Sequence, residues 1–233
     1  MYKEKYLSAV ITAAGSGTRM GTQTNKPYLE IGTKKILELS LETVTGIREF
    51  DEIILVVRKE DKLFASEILS LFRDPRIKMV EGGASREEST YKGLLAINPE
   101  SDLVLSHDGV RPFASRALFL SVLEQMSTYK AAVAATKSKD TIKVANEKRE
   151  VDFTPNRDYV YNIQTPQAFD TKLIKELYKK YFKSEAKITD DSQLFEFFDR
   201  DERVKIVEGE YSNIKITTAE DIIFAKAYLR GIR

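Results

Sequence analysis

The feature that most restricts the fold of this chain is its alternation of short β-type apolar runs with longer segments of helical period. Ile53-Ile54-Leu55-Val56-Val57 is apolar at every position, and Leu7 to Ala13, Ile77 to Val80 and Leu103-Val104-Leu105 repeat the theme. A continuously apolar strand needs cover on both faces. Between these runs, Ile36, Leu37, Leu41, Val44 and Ile47 recur at near-helical spacing, as do Leu63, Phe64, Ile68, Leu71 and Phe72. Such alternation predicts parallel βαβ units. The expected fold is α/β, a Rossmann-like three-layer domain with a mostly parallel twisted sheet, and the length suits one domain over residues 1–233. Ser85-Arg86-Glu87-Glu88 has capping-box spacing, so a helix is expected to start just after the Gly82-Gly83 turn.

Residues 136–164 read differently. Short β-type pieces, Thr141 to Val144 and Tyr159 to Ile163, flank charged and turn-forming residues, with no helical period. This stretch is expected to leave the sheet as a protruding β arm and a dimer contact; an ordinary hairpin on the same domain fits the pattern as well. Further on, Asp170 to Phe182 and Thr189 to Phe198 look helical, Val204 to Val207 and Ile214 to Thr217 look like strands, and Thr218 to Leu229 is a closing helix. Asp190, Asp191, Glu220 and Asp221 are expected in first turns, where carboxylates favour the helix dipole.

Composition narrows the chemistry. There is no cysteine and one histidine, which excludes disulfides, a thiolate nucleophile, an iron–sulfur cluster and a Cys/His zinc site. His107 is not expected to be catalytic, because on a continuing strand it faces away from Asp108. With 37 basic and 36 acidic residues, the net charge of +1 argues against a nucleic-acid partner. No apolar run approaches the roughly 18 residues of a membrane helix, and the first residues lack a signal-peptide layout. A cytoplasmic location without membrane partners is the expectation.

The most informative segment is Ala13-Ala14-Gly15-Ser16-Gly17-Thr18-Arg19-Met20-Gly21, directly after the first strand. Glycines let the backbone approach a ligand and turn N–H groups toward phosphate oxygens. The dinucleotide fingerprint fails here: Met20 stands where its third glycine belongs, and Arg58 follows the second strand where an acidic residue is wanted. The Walker pattern fails too, since no Gly-Lys-Ser/Thr closes the loop. Arg19 inside the loop and Lys26 shortly after it make a cradle suited to a triphosphate.

This loop with its downstream Lys26 resembles the signature of sugar-phosphate nucleotidyltransferases. More narrowly, the chain resembles the 2-C-methyl-D-erythritol 4-phosphate cytidylyltransferase family. The likeness spans nearly the whole sequence through His107-Asp108-Gly109-Val110-Arg111-Pro112-Phe113, Thr165-Pro166-Gln167-Ala168-Phe169, Thr189-Asp190-Asp191-Ser192 and Glu208-Gly209-Glu210 through Asn213-Ile214-Lys215-Ile216-Thr217-Thr218. Ribitol-5-phosphate cytidylyltransferases share this scaffold. Val110-Arg111-Pro112-Phe113, Pro155-Asn156-Arg157 and Glu210-Tyr211-Ser212-Asn213 suit them, whereas Thr189-Asp190-Asp191-Ser192 and the short Ala96 to Asp102 connection favour the methylerythritol enzyme.

The resemblance implies transfer of a cytidylyl group from CTP to a polyol phosphate. The acceptor would be methylerythritol phosphate in non-mevalonate isoprenoid synthesis, or alternatively ribitol 5-phosphate for cell-wall polymers. By the same resemblance, Ala13, Ala14, Gly15, Ser16 and Gly17 line the nucleotide, and Gly82, Gly83 and Ser89 read the cytosine edge. Arg19, Lys26, Arg157 and Lys215 carry catalysis, and Asp108, Arg111, Thr141, Arg157, Thr165 and Lys215 bind the acceptor. Residues Thr141, Arg157 and Thr165 in or beside the β excursion would reach the partner subunit's site in a homodimer. Mg²⁺ or another divalent cation is expected, held mainly through the CTP phosphates, with Asp108 as either a metal or a substrate ligand. Two other classes are less consistent with the residues: a non-catalytic nucleotide-binding module would not need Arg19, Lys26 and Lys215 together, and a dinucleotide oxidoreductase is disfavoured by Met20 and Arg58.

Overall fold

The computed structural model describes residues 2–15 and 25–231. The chain begins with β1 (Leu7–Thr12), and a small ribbon of β2 (Glu30–Ile31) and β3 (Lys34–Lys35) leads into α1 (Ile36–Thr45). Then come β4 (Glu52–Val57), α2 (Lys62–Phe72), β5 (Ile77–Glu81), α3 (Arg86–Ala96) and β6 (Leu103–Asp108). After α4 (Arg116–Glu124) and β7 (Ala131–Lys137), the chain makes the short strands β8 (Val144–Ala145) and β9 (Val151–Phe153) before returning as β10 (Tyr161–Asp170). It ends with α5 (Thr171–Tyr181), α6 (Gln193–Phe198), β11 (Val204–Glu208) and α7 (Ala219–Gly231).

The main sheet has seven strands in the order β11-β7-β10-β6-β1-β4-β5. All neighbours pair in parallel except along β10, which is antiparallel to both β6 and β7. The period-2 geometry of a strand divides its side chains between two layers. Ala9, Ile11, Ile53, Leu55 and Leu105 join the cluster covered by α1, α2 and α4, whereas Val10, Ile54, Val56 and Val104 join the one beneath α3, α5 and α6. Each such valine, leucine or isoleucine taken fully from water contributes about 1.5–3 kcal/mol, so both faces hold their helices firmly. Gly93 of α3 lets the helix lie close on the sheet: a Cβ there would lie 2.6 Å from Val10 Cγ1 and 2.8 Å from Val56 Cγ2.

Several expectations change. Ile214 to Thr217 is not a strand; one bond, Ile216 N–H to the Val110 carbonyl, ties it to the loop after β6. Its isoleucines are instead drawn into a third cluster with Ile31, Ile36 and Ala225. The helix expected from Thr189 begins only at Gln193, because Asp190 caps it from outside by accepting from Gln193 N–H at 3.3 Å. Of the β-type piece Tyr159 to Ile163, Tyr161 to Ile163 open the ten-residue β10, while Tyr159 ends a 3-10 turn before it. In α2 the buried positions are Ala65 and Ile68, while Leu63, Phe64 and Leu71 face outward. Strand β7, an alanine-rich run, was not expected. Between β7 and β10 the chain forms a β8–β9 hairpin whose Val151 and Phe153 are exposed, as is Tyr159 in the 3-10 turn that follows.

Candidate active site

Strand order places the site. From β1 the chain steps outward to β4 and β5 and then crosses back to β6 on the other side of β1, so the connections diverge at the carboxyl ends of β1 and β6. Crevices for ligands open at such switch points. Thr12 at the end of β1 is the register partner of Asp108 at the end of β6, which puts Ala13, where the glycine loop starts, beside the His107–Phe113 segment.

Two clefts meet here. The first, of ≈ 340 Å³, is bounded by Ala13, Ala14 and Gly15 on one side, by Lys26 on another, and by Gly83 and Ser89 across from them. The second, of ≈ 480 Å³, is lined by Arg111, Thr165, Gln167 and Thr189. Arg86, Asp108 and Lys215 line both clefts and so stand where their contents would meet. Of the residues expected to bind nucleotide, Gly82 sits behind the wall: a Cβ on it would lie 2.7 Å from Ala14 Cβ and 2.8 Å from Ser89 Oγ. Ser16, Gly17 and Arg19 lie outside the described residues.

The Gly82-Gly83 turn is held by the start of α3. Ser85 caps that helix by accepting from Glu88 N–H at 3.0 Å, as the capping-box spacing predicts. Ser89 Oγ accepts from Gly83 N–H at 3.0 Å and donates to the Ser85 carbonyl at 2.8 Å, and Lys92 Nζ donates to the Gly82 carbonyl. The cleft wall is therefore preorganised, with Ser89 shaping the turn as well as lining the cleft.

At the junction, Lys215 Nζ lies 2.9 Å from Asp108 Oδ2, and Arg111 Nε lies 3.5 Å from the same oxygen. Burial alone would raise the Asp108 carboxyl, but Lys215, Arg111 and Arg86 outweigh it and hold the group well below the usual carboxylate range. Arg111 also donates Nη1 to the Asn213 carbonyl at 2.8 Å. Asn213 Nδ2 in turn donates to the Thr165 carbonyl, fastening the segment that carries Lys215 onto β10. Thr217 and Thr218 then donate their N–H groups to Asp221 of α7, fixing the other end of that segment.

His107 shows why it is not a base. Asp108 N–H donates to Thr165 Oγ1, and the same hydroxyl lies 3.0 Å from His107 Nδ1; Nε2 lies 3.2 Å from the Arg111 carbonyl. A carbonyl can only accept, so Nε2 carries the proton and Thr165 donates to Nδ1. Burial pushes the imidazole down to about 4, so it is neutral near pH 7.

Arg86 is the residue that sequence reasoning missed, because its place in a capping box supplied a sufficient local role. Its Nη1 donates to the buried Asp191 Oδ1 at 3.0 Å, and Asp191 also accepts from Tyr178 Oη at 2.6 Å and Ser106 Oγ at 3.1 Å. Asp191 thus aims Arg86 at the junction rather than occupying a helix first turn. Thr141 and Arg157 line neither cleft within one chain; Arg157 Nη1 donates to the Lys139 carbonyl at 3.3 Å on the exposed excursion.

Comparison with known proteins agrees with this geometry. The family model described as 2-C-methyl-D-erythritol 4-phosphate cytidylyltransferase matches residues 7–231. A curated protein of that name from Caldanaerobacter subterraneus subsp. tengcongensis is 38% identical over 226 residues, covering 96% of this chain and 99% of that one. Among solved structures, 4-diphosphocytidyl-2C-methyl-D-erythritol synthase from Anaerococcus prevotii superimposes with a TM-score of 0.90 at 60% identity, covering 97% of this chain and 96% of that one. The Thermus thermophilus 2-C-methyl-D-erythritol 4-phosphate cytidylyltransferase gives 0.76 at 29% identity, with 97% and 99% covered. With the glycine loop, the Asp108–Lys215 junction and these matches together, the chain belongs to the 2-C-methyl-D-erythritol 4-phosphate cytidylyltransferase family.

Proposed function

We propose that this protein transfers the cytidylyl group of CTP to 2-C-methyl-D-erythritol 4-phosphate, giving 4-(cytidine 5'-diphospho)-2-C-methyl-D-erythritol and pyrophosphate in non-mevalonate isoprenoid synthesis. The observation that carries this reading is the pair of clefts sharing Arg86, Asp108 and Lys215. CTP takes the cleft formed by the glycine loop, Lys26 and the Gly83 turn, and the polyol phosphate takes the one beside Arg111 and Thr165. An oxygen of the acceptor phosphate bonds to the α-phosphorus, the bond from that phosphorus to the β-bridging oxygen breaks, and pyrophosphate leaves with the electron pair. A phosphate monoester is already ionised near neutral pH, so no side chain need remove a proton. The protein's work is to hold two anions in line and to neutralise the charge that spreads between them. Lys26 faces the triphosphate and Lys215 faces the meeting point, with Arg19 assigned to the triphosphate by the family resemblance alone. Asp108, locked as an anion, fixes Lys215 through Oδ2 and offers Oδ1 either to an acceptor hydroxyl or to a divalent cation.

A divalent cation fits this site through a single carboxylate. Asp108 Oδ2 is committed to Lys215, whereas among the described residues Oδ1 meets Thr12 Oγ1 at 3.5 Å. Magnesium commonly binds through one or two carboxylates and substrate phosphates while keeping its waters. When bound, held by Asp108 and the CTP phosphates, it would withdraw charge from the reacting phosphate as a Lewis acid. The chain acts as one nucleotidyltransferase domain in the cytoplasm. Its 136–164 arm, with Thr141 and Arg157, reaches the second cleft of a partner subunit in a homodimer; the exposure of Val151, Phe153 and Tyr159 supports that placement.

Pyrophosphate release from CTP and Mg²⁺ tests the proposal when each polyol phosphate is supplied in turn. Turnover with methylerythritol phosphate is expected. Turnover confined to ribitol 5-phosphate would replace the acceptor, and none with either would leave a nucleotide-binding module.

A further inference from the structure

Asp61 is a buried carboxylate for which the reaction above has no use. It ends a short 3-10 turn (Lys59–Asp61) between β4 and α2, and it is 4% exposed. Arg58 grips it twice, Nε to Oδ2 at 2.8 Å and Nη2 to Oδ1 at 3.1 Å. Asn25 Nδ2 donates to the same Oδ2 at 2.7 Å, and Asn25 Oδ1 accepts the backbone N–H of Lys26 at 3.0 Å. Asn25 and Lys26 are themselves buried. The result is a continuous relay, Arg58 to Asp61 to Asn25 to Lys26, that ties the far end of the glycine-loop sequence to the β4–α2 connection. Arg58, which spoils the dinucleotide fingerprint, thereby acquires a place in the site.

Charge alone makes Asp61 a poor neighbour for a cleft that takes a triphosphate, since like charges repel across low-dielectric surroundings. A cost of that sign is tolerable where the carboxylate secures geometry. A lysine ammonium rides on a flexible stem, and fixing its backbone reduces the ordering that binding must impose.

We propose that Asp61 is a positioning residue for Lys26, acting through the Asn25 amide to hold the lysine against the CTP triphosphate. The inference rests on the nucleotide-cleft assignment above. It predicts opposite signs for two roles of the same carboxylate: an electrostatic bystander would weaken CTP binding, so its neutralisation would tighten it, whereas a positioning residue neutralised by Asp61→Asn would loosen it.

The test is calorimetric titration of the full chain with CTP and MgCl₂, without any polyol phosphate, alongside thermal melts. Lys26→Ala should weaken binding about ten- to a hundredfold, as expected for a charge-assisted contact. Asp61→Asn should weaken it about tenfold, and the double variant should bind no more weakly than Lys26→Ala within about twofold, because the relay acts through the lost lysine. The Michaelis constant for the polyol phosphate should not move in Asp61→Asn. Should that variant lose its cooperative melt, Asn25→Ser carries the test, since a serine keeps a capping oxygen but drops the amide donor to Asp61. Binding in Asp61→Asn as tight as or tighter than wild type, multiplying losses in the double variant, or wild-type affinity in Asn25→Ser would each overturn the proposal. Unchanged affinity in Lys26→Ala is a different result and would overturn the nucleotide-cleft assignment beneath it.

Discussion

Replacing Lys215 by methionine separates catalysis from folding sharply. The change keeps an unbranched side chain one atom shorter and deletes its charge. In the fold, the Lys215–Asp108 pair at 2.9 Å joins an ammonium that is 38% exposed to a carboxylate that is 11% exposed. Exposed pairs are worth up to about 1 kcal/mol, and breaking a fully buried one costs about 3–5 kcal/mol. Lys215 falls between these limits, and Asp108 retains Arg111 at 3.5 Å, so about 1–2 kcal/mol of stability should be lost. For a chain of this size that lowers the melting temperature by roughly 2–8 °C. From an ordinary stability of about 5–15 kcal/mol, more than about 99% of the molecules stay folded at 25 °C. A cation aimed at developing charge is worth about 10²–10³ in kcat. Pyrophosphate release at saturating CTP and methylerythritol phosphate, with a melt of the same sample, should therefore show a loss of about a hundredfold or more in a folded enzyme. A kcat within a few-fold of wild type, or a loss matched by the unfolded fraction, would refute the placement of Lys215 at the reacting phosphates.

Other outcomes follow from single contacts. Because burial lowers His107 from 6.5 to about 4, the unfolded chain binds the extra proton between those values, so His107 makes stability rise with pH across that window and withholds about 3 kcal/mol at its acid end. Chemical denaturation from pH 4 to pH 7 should show that slope, and His107→Gln should flatten it. Gly93→Ala drives a Cβ into Val10 and Val56 on central strands, so about 1 kcal/mol or more should be lost despite alanine's better helix propensity, read as a lower denaturation midpoint. Arg157→Ala should mainly raise the Michaelis constant for the polyol phosphate; unchanged kinetics would remove the partner-arm placement.

Much of this architecture could be read from residues. Ile53 to Val57, apolar throughout, announced a strand covered on both faces, and the structure buries all five. The glycine loop and the His107–Phe113 motif end neighbouring strands, so their juxtaposition required only the parallel sheet. What escaped notice has physical reasons. Strand β7 runs through Ala131-Ala132-Val133-Ala134-Ala135, and alanine carries little strand signal although its small size suits the crowded middle of the sheet. Ile214 and Ile216 have strand-like spacing, but the cluster on α7 takes them instead. Arg86 looked complete as part of a capping box, and only the tertiary contact with Asp191, 105 residues away, turns it into the site. Asp61 carried no motif, and its link to Asn25 spans 36 positions.

The division of labour between the two clefts is the central claim, and a crystal structure with CTP and Mg²⁺ tests it most directly. The triphosphate should lie against Gly15 and Lys26, the cytosine at the Gly83–Ser89 wall, and the α-phosphorus turned toward Lys215 at the mouth of the second cleft. A nucleotide seated instead beside Arg111 and Thr165, with the Lys26 cleft empty, would contradict it.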